Sequence, residues 1–248
     1  MPDKRLKGKV AVVTGAGRGI GRAIATAYAL EGASVCCSAR TASELRETVQ
    51  EIEDAGGTAI AETVDVTKIN EVEVMLEKAA EAFGGVDILV INAGGNLDPS
   101  VVEESDADNW AATIDLNLKG AYYSAKAAIP YLKNSTAGKI ITVGSGMGHN
   151  GRPGSSAYSC AKAGLWMLTR VLANELWEDG ISVNELVPGP VKTPGAIAAW
   201  AEERNAVNSI SSEWVKESDD VVPLALFMVT QPDRGPTAQS FSLMRRDT

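Results

Sequence analysis

The sequence predicts a single α/β domain built on a doubly wound parallel sheet of about seven strands flanked by helices. Three observations predict it. Short β-branched runs alternate with segments of helical periodicity from one end of the chain to the other. Most of the runs are continuously apolar, as strands covered on both faces require. No repeat, linker or low-complexity stretch divides the 248 residues, so 1–248 reads as one unit.

The strands are expected at Lys9–Thr14, Ser34–Ser38, Thr58–Val64, Val86–Ile91, Lys139–Val143, Ile181–Val187 and Gln239–Met244. The helical segments between them are Gly19–Glu31, Ala42–Asp54, Lys68–Phe83, Ser105–Leu132 and Ser156–Glu178. The last is apolar around most of its circumference, through Leu165, Trp166, Met167, Leu168, Val171, Leu172, Leu176 and Trp177. A helix of that kind must be buried on two sides. One side has the sheet; the other calls for a second copy of the chain. The stretch Gly189–Glu217 begins with proline and glycine and continues with a weakly apolar helix around Ile197, Ala198, Trp200 and Ala201. It reads as a substrate lid over about 190–215.

Composition narrows the function. A net charge of −9 with scattered basic residues excludes a phosphate-binding track for nucleic acid. The longest apolar run near the C-terminus, Val221–Val229, is too short to span a bilayer and contains Pro223. Three cysteines, Cys36, Cys37 and Cys160, form no disulfide framework, and the N-terminus shows no signal-peptide core, so the expectation is a cytoplasmic protein. With one histidine in the chain and no ligand cluster, no metal is expected.

The segment Thr14-Gly-Ala-Gly-Arg-Gly-Ile-Gly21 lies between the first strand and the first helix. Gly15, Gly17, Arg18, Gly19, Ile20 and Gly21 thus form a turn whose backbone N–H groups can approach a pyrophosphate at a helix N-terminus. The second strand ends Ser38-Ala39-Arg40, with no acid to bond a ribose 2′-hydroxyl. Arg40, with Arg18 opposite, can instead hold a 2′-phosphate, which favours NADP over NAD. Tyr158 and Lys162 are four apart on a helix and share a face. A neighbouring ammonium stabilises a phenolate, which brings the tyrosine toward acid–base work. Proton and hydride together interconvert an alcohol and a ketone.

These residues resemble the short-chain dehydrogenases/reductases over nearly the whole chain, from Lys9 to about Thr193. Beside Thr14–Gly21, the matching motifs are Asp65-Val66, Asn92-Ala93-Gly94, Asn117 in Asp-Leu-Asn-Leu-Lys, Ser145, Tyr158 and Lys162, and Pro188-Gly189 with Val191 and Thr193. The resemblance implies that Tyr158 is the general acid or base, that Lys162 tunes it and holds the nicotinamide ribose, and that Ser145 bonds the substrate oxygen. It implies that Asn117 positions a water behind Lys162. It assigns Asp65 and Val66 to the adenine, and Pro188, Gly189, Val191 and Thr193 to the nicotinamide. It also implies a homotetramer or homodimer.

Three departures stand out. Ile91 replaces the first Asn of Asn-Asn-Ala-Gly, and the C-terminal Pro236–Arg246 stretch is atypical. The helix carrying Tyr158 ends Trp177-Glu178-Asp179-Gly180, acidic where ketoacyl reductases present basic residues to an acyl carrier protein. A free small-molecule ketone or alcohol is therefore the expected substrate. An NAD-dependent dehydrogenase of a sugar, polyol or steroid alcohol is the rival within the class, and a non-catalytic NADP-binding sensor the rival outside it. His149, four residues past Ser145, is either a pocket residue or an ordinary loop histidine.

Overall fold

A computed structural model describes residues 4–197 and 214–244 of the chain. Seven parallel strands form one sheet: β1 (Val10–Thr14), β2 (Ser34–Ala39), β3 (Thr58–Thr63), β4 (Ile88–Ile91), β5 (Lys139–Val143), β6 (Ser182–Val187) and β7 (Ser240–Ser242). Their spatial order is β3-β2-β1-β4-β5-β6-β7, so the strand order reverses beside β1. Ligands of such sheets bind at the carboxyl ends of the strands at that reversal.

The helices are α1 (Gly19–Leu30), α2 (Ala42–Asp54), α3 (Ile69–Phe83), α4 (Ala107–Ile114), α5 (Gly120–Leu132), α6 (Ser156–Glu175) and α7 (Val222–Val229). Successive strand residues point to opposite faces. Val13 and Cys37 thus join the core under α1, α2 and α7, while Val12 and Cys36 join the core under α3, α5 and α6. Both cysteines are fully buried, and Cys160 is exposed.

Three elements differ from the sequence expectation. The single helix expected over Ser105–Leu132 is broken by a π-helical turn at Asp115–Lys119, which separates α4 from α5. The run Val221–Val229, left without an element, forms α7 with Pro223 in its first turn, where a missing N–H costs nothing. Helix α6 also stops short, at Glu175, and the chain turns at Gly180 (φ +71°).

On α6, Ala161, Leu165, Leu172 and Ala173 are buried against the sheet side, while Met167 and Val171 are 49% and 42% exposed. No helix of the described residues is long and apolar enough to cross a membrane. The expected lid falls partly on residues 198–213, outside the described residues; its start at Val191 is buried and bridged to Lys216.

Candidate active site

The glycine turn sits at the carboxyl end of β1. Gly15 has φ +69°, and a side chain there would strike Asn92 Nδ2 and the Ala93 backbone. Asn92 donates from Nδ2 to the carbonyls of Thr14 (2.9 Å) and Gly15 (3.2 Å), and Thr14 Oγ1 accepts from the amides of Asn92 and Ala93. The tips of β1 and β4 are thereby locked together. From the other side, Arg22 donates to the Gly17 carbonyl through Nε at 3.0 Å, and Thr48 Oγ1 donates to the Ala16 carbonyl at 3.0 Å. Arg18 begins α1 in an extended conformation without a side-chain cap. The first-turn amides of α1 thus have no side-chain cap, the arrangement that receives a phosphate. Thr193 lies over the same turn, against Gly19. Gly189 has φ +70° directly after β6, and Pro188 precedes it. These residues fit a dinucleotide.

The end of β2 holds a group that sequence reasoning overlooked. Glu44, in the first turn of α2, borders the space over Gly17, as Ala39 does, and pairs with Arg18 (Nη1–Oε1 3.2 Å). A carboxylate thus does stand at this tip, brought there by a helix rather than by the strand. Arg40 is exposed and lies within electrostatic reach of Asp65. Partial burial works against Asp65 ionisation, but bonds from the Thr67 amide and hydroxyl and the charges of Arg40 and Lys68 outweigh it and lower its pKa. Val66 is buried beside Asp65 and packs on Gly120.

Ser145, Tyr158, Lys162 and Asn117 meet at the carboxyl ends of β4 and β5. Ser145 follows β5 after one intervening residue, and its side chain hydrogen-bonds Tyr158. Lys162 is 4% exposed; its Nζ donates to the Val143 carbonyl at 2.8 Å and lies 5.6 Å from the Tyr158 ring centroid. Asn117 sits in the π-turn. An α-helix would spend the Thr113 carbonyl on the Asn117 backbone N–H. Here the Asn117 side chain takes that carbonyl itself (2.9 Å) and also clasps Gly95, donating to its carbonyl at 2.7 Å and accepting from its amide at 3.1 Å. Asn117 Oδ1 and Lys162 Nζ both border the space over Gly94, within 3.4 Å of where its side chain would be.

The ionisation differs from the sequence expectation. Burial raises Tyr158, only partly offset by the Ser145 bond, and burial lowers Lys162 to about 8 against the opposing charge of Glu185. The ammonium is committed to Val143 and does not touch the tyrosine hydroxyl, so desolvation outweighs the pairing. His149 turns inward: its Nε2 lies 3.3 and 3.2 Å from the two oxygens of the fully buried Glu185. Glu185 is the second residue that sequence reasoning missed. Its signal was a carboxylate in the middle of the otherwise apolar and neutral strand Ser182-Val-Asn-Glu-Leu-Val187.

Residues 9–204 match the family model described as short chain dehydrogenase. The chain belongs to that family. It is 41% identical over 191 residues to an uncharacterized oxidoreductase of Staphylococcus saprophyticus, covering 76% of this chain and 81% of the relative. Its fold superposes on a short-chain type dehydrogenase/reductase from Mycobacterium marinum with a TM-score of 0.90, at 30% identity over 98% of this chain and 96% of the other. Carveol dehydrogenase from Mycobacterium avium, solved in complex with NAD, gives 0.88 at 26% identity, with 97% of each chain covered. As a member, this short-chain dehydrogenase/reductase is an oxidoreductase of CH–OH and C=O groups that works with NAD(P).

Proposed function

We propose that the chain is an NADPH-dependent carbonyl reductase, reversible as an alcohol dehydrogenase, acting on a small ketone and its secondary alcohol with Tyr158 as the acid or base. The observation that carries this reading is the Ser145–Tyr158 hydrogen bond with Lys162 one helical turn behind it. The cofactor, when bound, supplies or takes the hydride. In reduction, Ser145 holds the carbonyl oxygen and Tyr158 gives that oxygen its proton as negative charge develops there. In oxidation, Tyr158 takes the proton back. Lys162 supplies positive charge behind the phenolate, and Asn117 holds open the polar space over Gly94 through which a proton is replaced.

Arg40 at the end of β2 and Arg18 in the glycine turn support NADPH, since each is a cation that a 2′-phosphate could pair with. The second reading, NAD, is favoured by the Glu44 carboxylate beside the glycine turn and by the NAD found in the carveol dehydrogenase complex. The turn after α6 supports a free small molecule over an acyl carrier protein: Asp179 there pairs with Lys133 at 2.8 Å and leaves Glu178 outward. Free thiols support a cytoplasmic setting. The exposed Met167 and Val171 support a homodimer or homotetramer.

The test is nicotinamide absorbance with a panel of ketones and alcohols and each cofactor. Turnover of at least one ketone is expected. Tyr158→Phe should abolish it while cofactor binding persists; a variant with near wild-type kcat would overturn the assignment.

A further inference from the structure

Strand β6 is buried at every residue, yet it carries Glu185, whose side chain has no exposure to water. A lone ionised carboxylate there would be strongly unfavourable. Glu185 is not alone. His149 Nε2 spans both of its oxygens, and Ser240 Oγ on β7 donates to Oε2. Ser240 Oγ in turn accepts from Arg170 Nη2 at 3.5 Å. Arg170 stacks on Trp166 at 4.0 Å, and Trp166 meets the His149 ring edge-on at 5.5 Å. The ring of contacts closes.

Two placements connect this ring to the catalytic residues. Tyr158, Lys162, Trp166 and Arg170 are spaced four apart and share one stripe of α6, so the ring continues the stripe that carries the Tyr–Lys pair. The Glu185 carboxylate also fills the space where a side chain at residue 144 would be: a Cβ there would come within 2.0 Å of Oε1. Gly144 separates Val143, whose carbonyl holds Lys162, from Ser145, which bonds Tyr158.

We propose that Glu185, seated in the space left by Gly144 and held by His149 and Ser240, is a positioning residue that keeps the Lys162 ammonium charged at neutral pH. The proposal rests on the reading of Lys162 as the positive partner of Tyr158. Burial drives Lys162 down and the Glu185 charge opposes it, and the two together leave it at about 8. The titratable groups around Lys162 are Tyr158 on its own helix and Glu185 from β6. Neutral dipoles come from Val143 on β5 and from Asn117 across Gly94. The groups around Glu185 are Lys162, His149 from the loop after β5 and, through Ser240, Arg170.

The experiment follows the lysine side-chain nitrogens by NMR during a pH titration of the ligand-free protein, with 15N in the lysine ammonium groups. The Lys162 signal is identified by its loss in Lys162→Met. Glu185→Gln should lower the Lys162 midpoint by about one pH unit or more, the size expected for loss of a nearby opposite charge. Glu185→Asp, which keeps the charge, should leave it near the wild-type value. In turnover, the alkaline limb of kcat/KM for ketone reduction should move toward acid in Glu185→Gln by the same amount. Should Glu185→Gln not fold, Glu185→Met, neutral and similar in length, carries the same expectation. An unmoved midpoint, with activity lowered equally at every pH, would overturn the proposal and leave Glu185 a packing residue. The midpoint is read without turnover. A chain inactive on every ketone would therefore sink the reductase reading and leave this test standing.

Discussion

Asn117 grips Gly95 from both sides, donating to its carbonyl at 2.7 Å and accepting from its amide at 3.1 Å. This grip fixes the loop after β4 to the π-turn between α4 and α5. Asn117→Ala would leave the Gly95 amide and carbonyl without these partners, at a cost of about 1–3 kcal/mol. A drop of several degrees in Tm is the expected result by thermal melting. An unchanged melt would mean that the loop does not depend on this clasp.

Gly144 and Glu185 should behave as a coupled pair. Gly144→Ser places atoms where the carboxylate lies and should destabilise by about 1–3 kcal/mol, the usual cost of overpacking. Combining it with Glu185→Ala makes room, so the double variant should be more stable than the sum of the two single effects by at least about 0.5 kcal/mol. Denaturant unfolding of the four proteins measures this. Simple additivity would show that the two do not share the space.

The cofactor preference is readable in binding alone. Arg40→Ala should weaken NADPH by roughly ten- to hundredfold, the equivalent of one charge-assisted bond, and leave NADH nearly unchanged. Glu44→Gln frees Arg18 from its ion pair and should tighten NADPH. Ala39→Asp should reverse the preference toward NADH. Fluorescence titration with each cofactor decides; equal weakening of both by Arg40→Ala would leave Arg40 a surface residue.

The exposed apolar stripe of α6 should be an interface between copies. Sedimentation at micromolar concentration should show a dimer or tetramer, and Val171→Glu should shift it toward the 26.0 kDa species. A wild-type protein sedimenting only at 26.0 kDa would remove the interface.

Reduction should follow the charge of Lys162. Burial lowers Lys162 to about 8 and raises Tyr158, so with rising pH the ammonium is lost while the tyrosine keeps its proton. The kcat/KM for ketone reduction should therefore be level at neutral pH and fall as pH passes about 8. A fall confined to the acid side would place the controlling titration on another group.

Most of the strands were legible because burial on both faces leaves a continuous apolar signature, and six of the seven begin or end where the pattern said. Tyr158 and Lys162 were legible for a local reason: helical spacing alone puts them on one face. The π-turn was not, because a single widened turn leaves the apolar pattern on either side intact. Helix α7 was missed because it is short and apolar all round, with no polar face to give a period. Glu44 and Glu185 escaped for another reason. Each acquires its meaning from a partner 26 or 36 residues away, Arg18 in one case and His149 in the other. Only the packing of α2 on the glycine turn, and of the loop after β5 on β6, brings those partners together.

The bond from Ser240 to Glu185 has a consequence for the growing chain. Ser145, Tyr158 and Lys162 leave the ribosome 78 to 95 residues before β7 begins. Until then β6 is an open edge, ready to pair with any strand that reaches it. Its buried carboxylate also lacks one of its donors. The electrostatic setting of the catalytic residues is finished only when the last strand docks. A nascent or truncated chain that stops before Pro236 would carry every catalytic side chain and still be unripe.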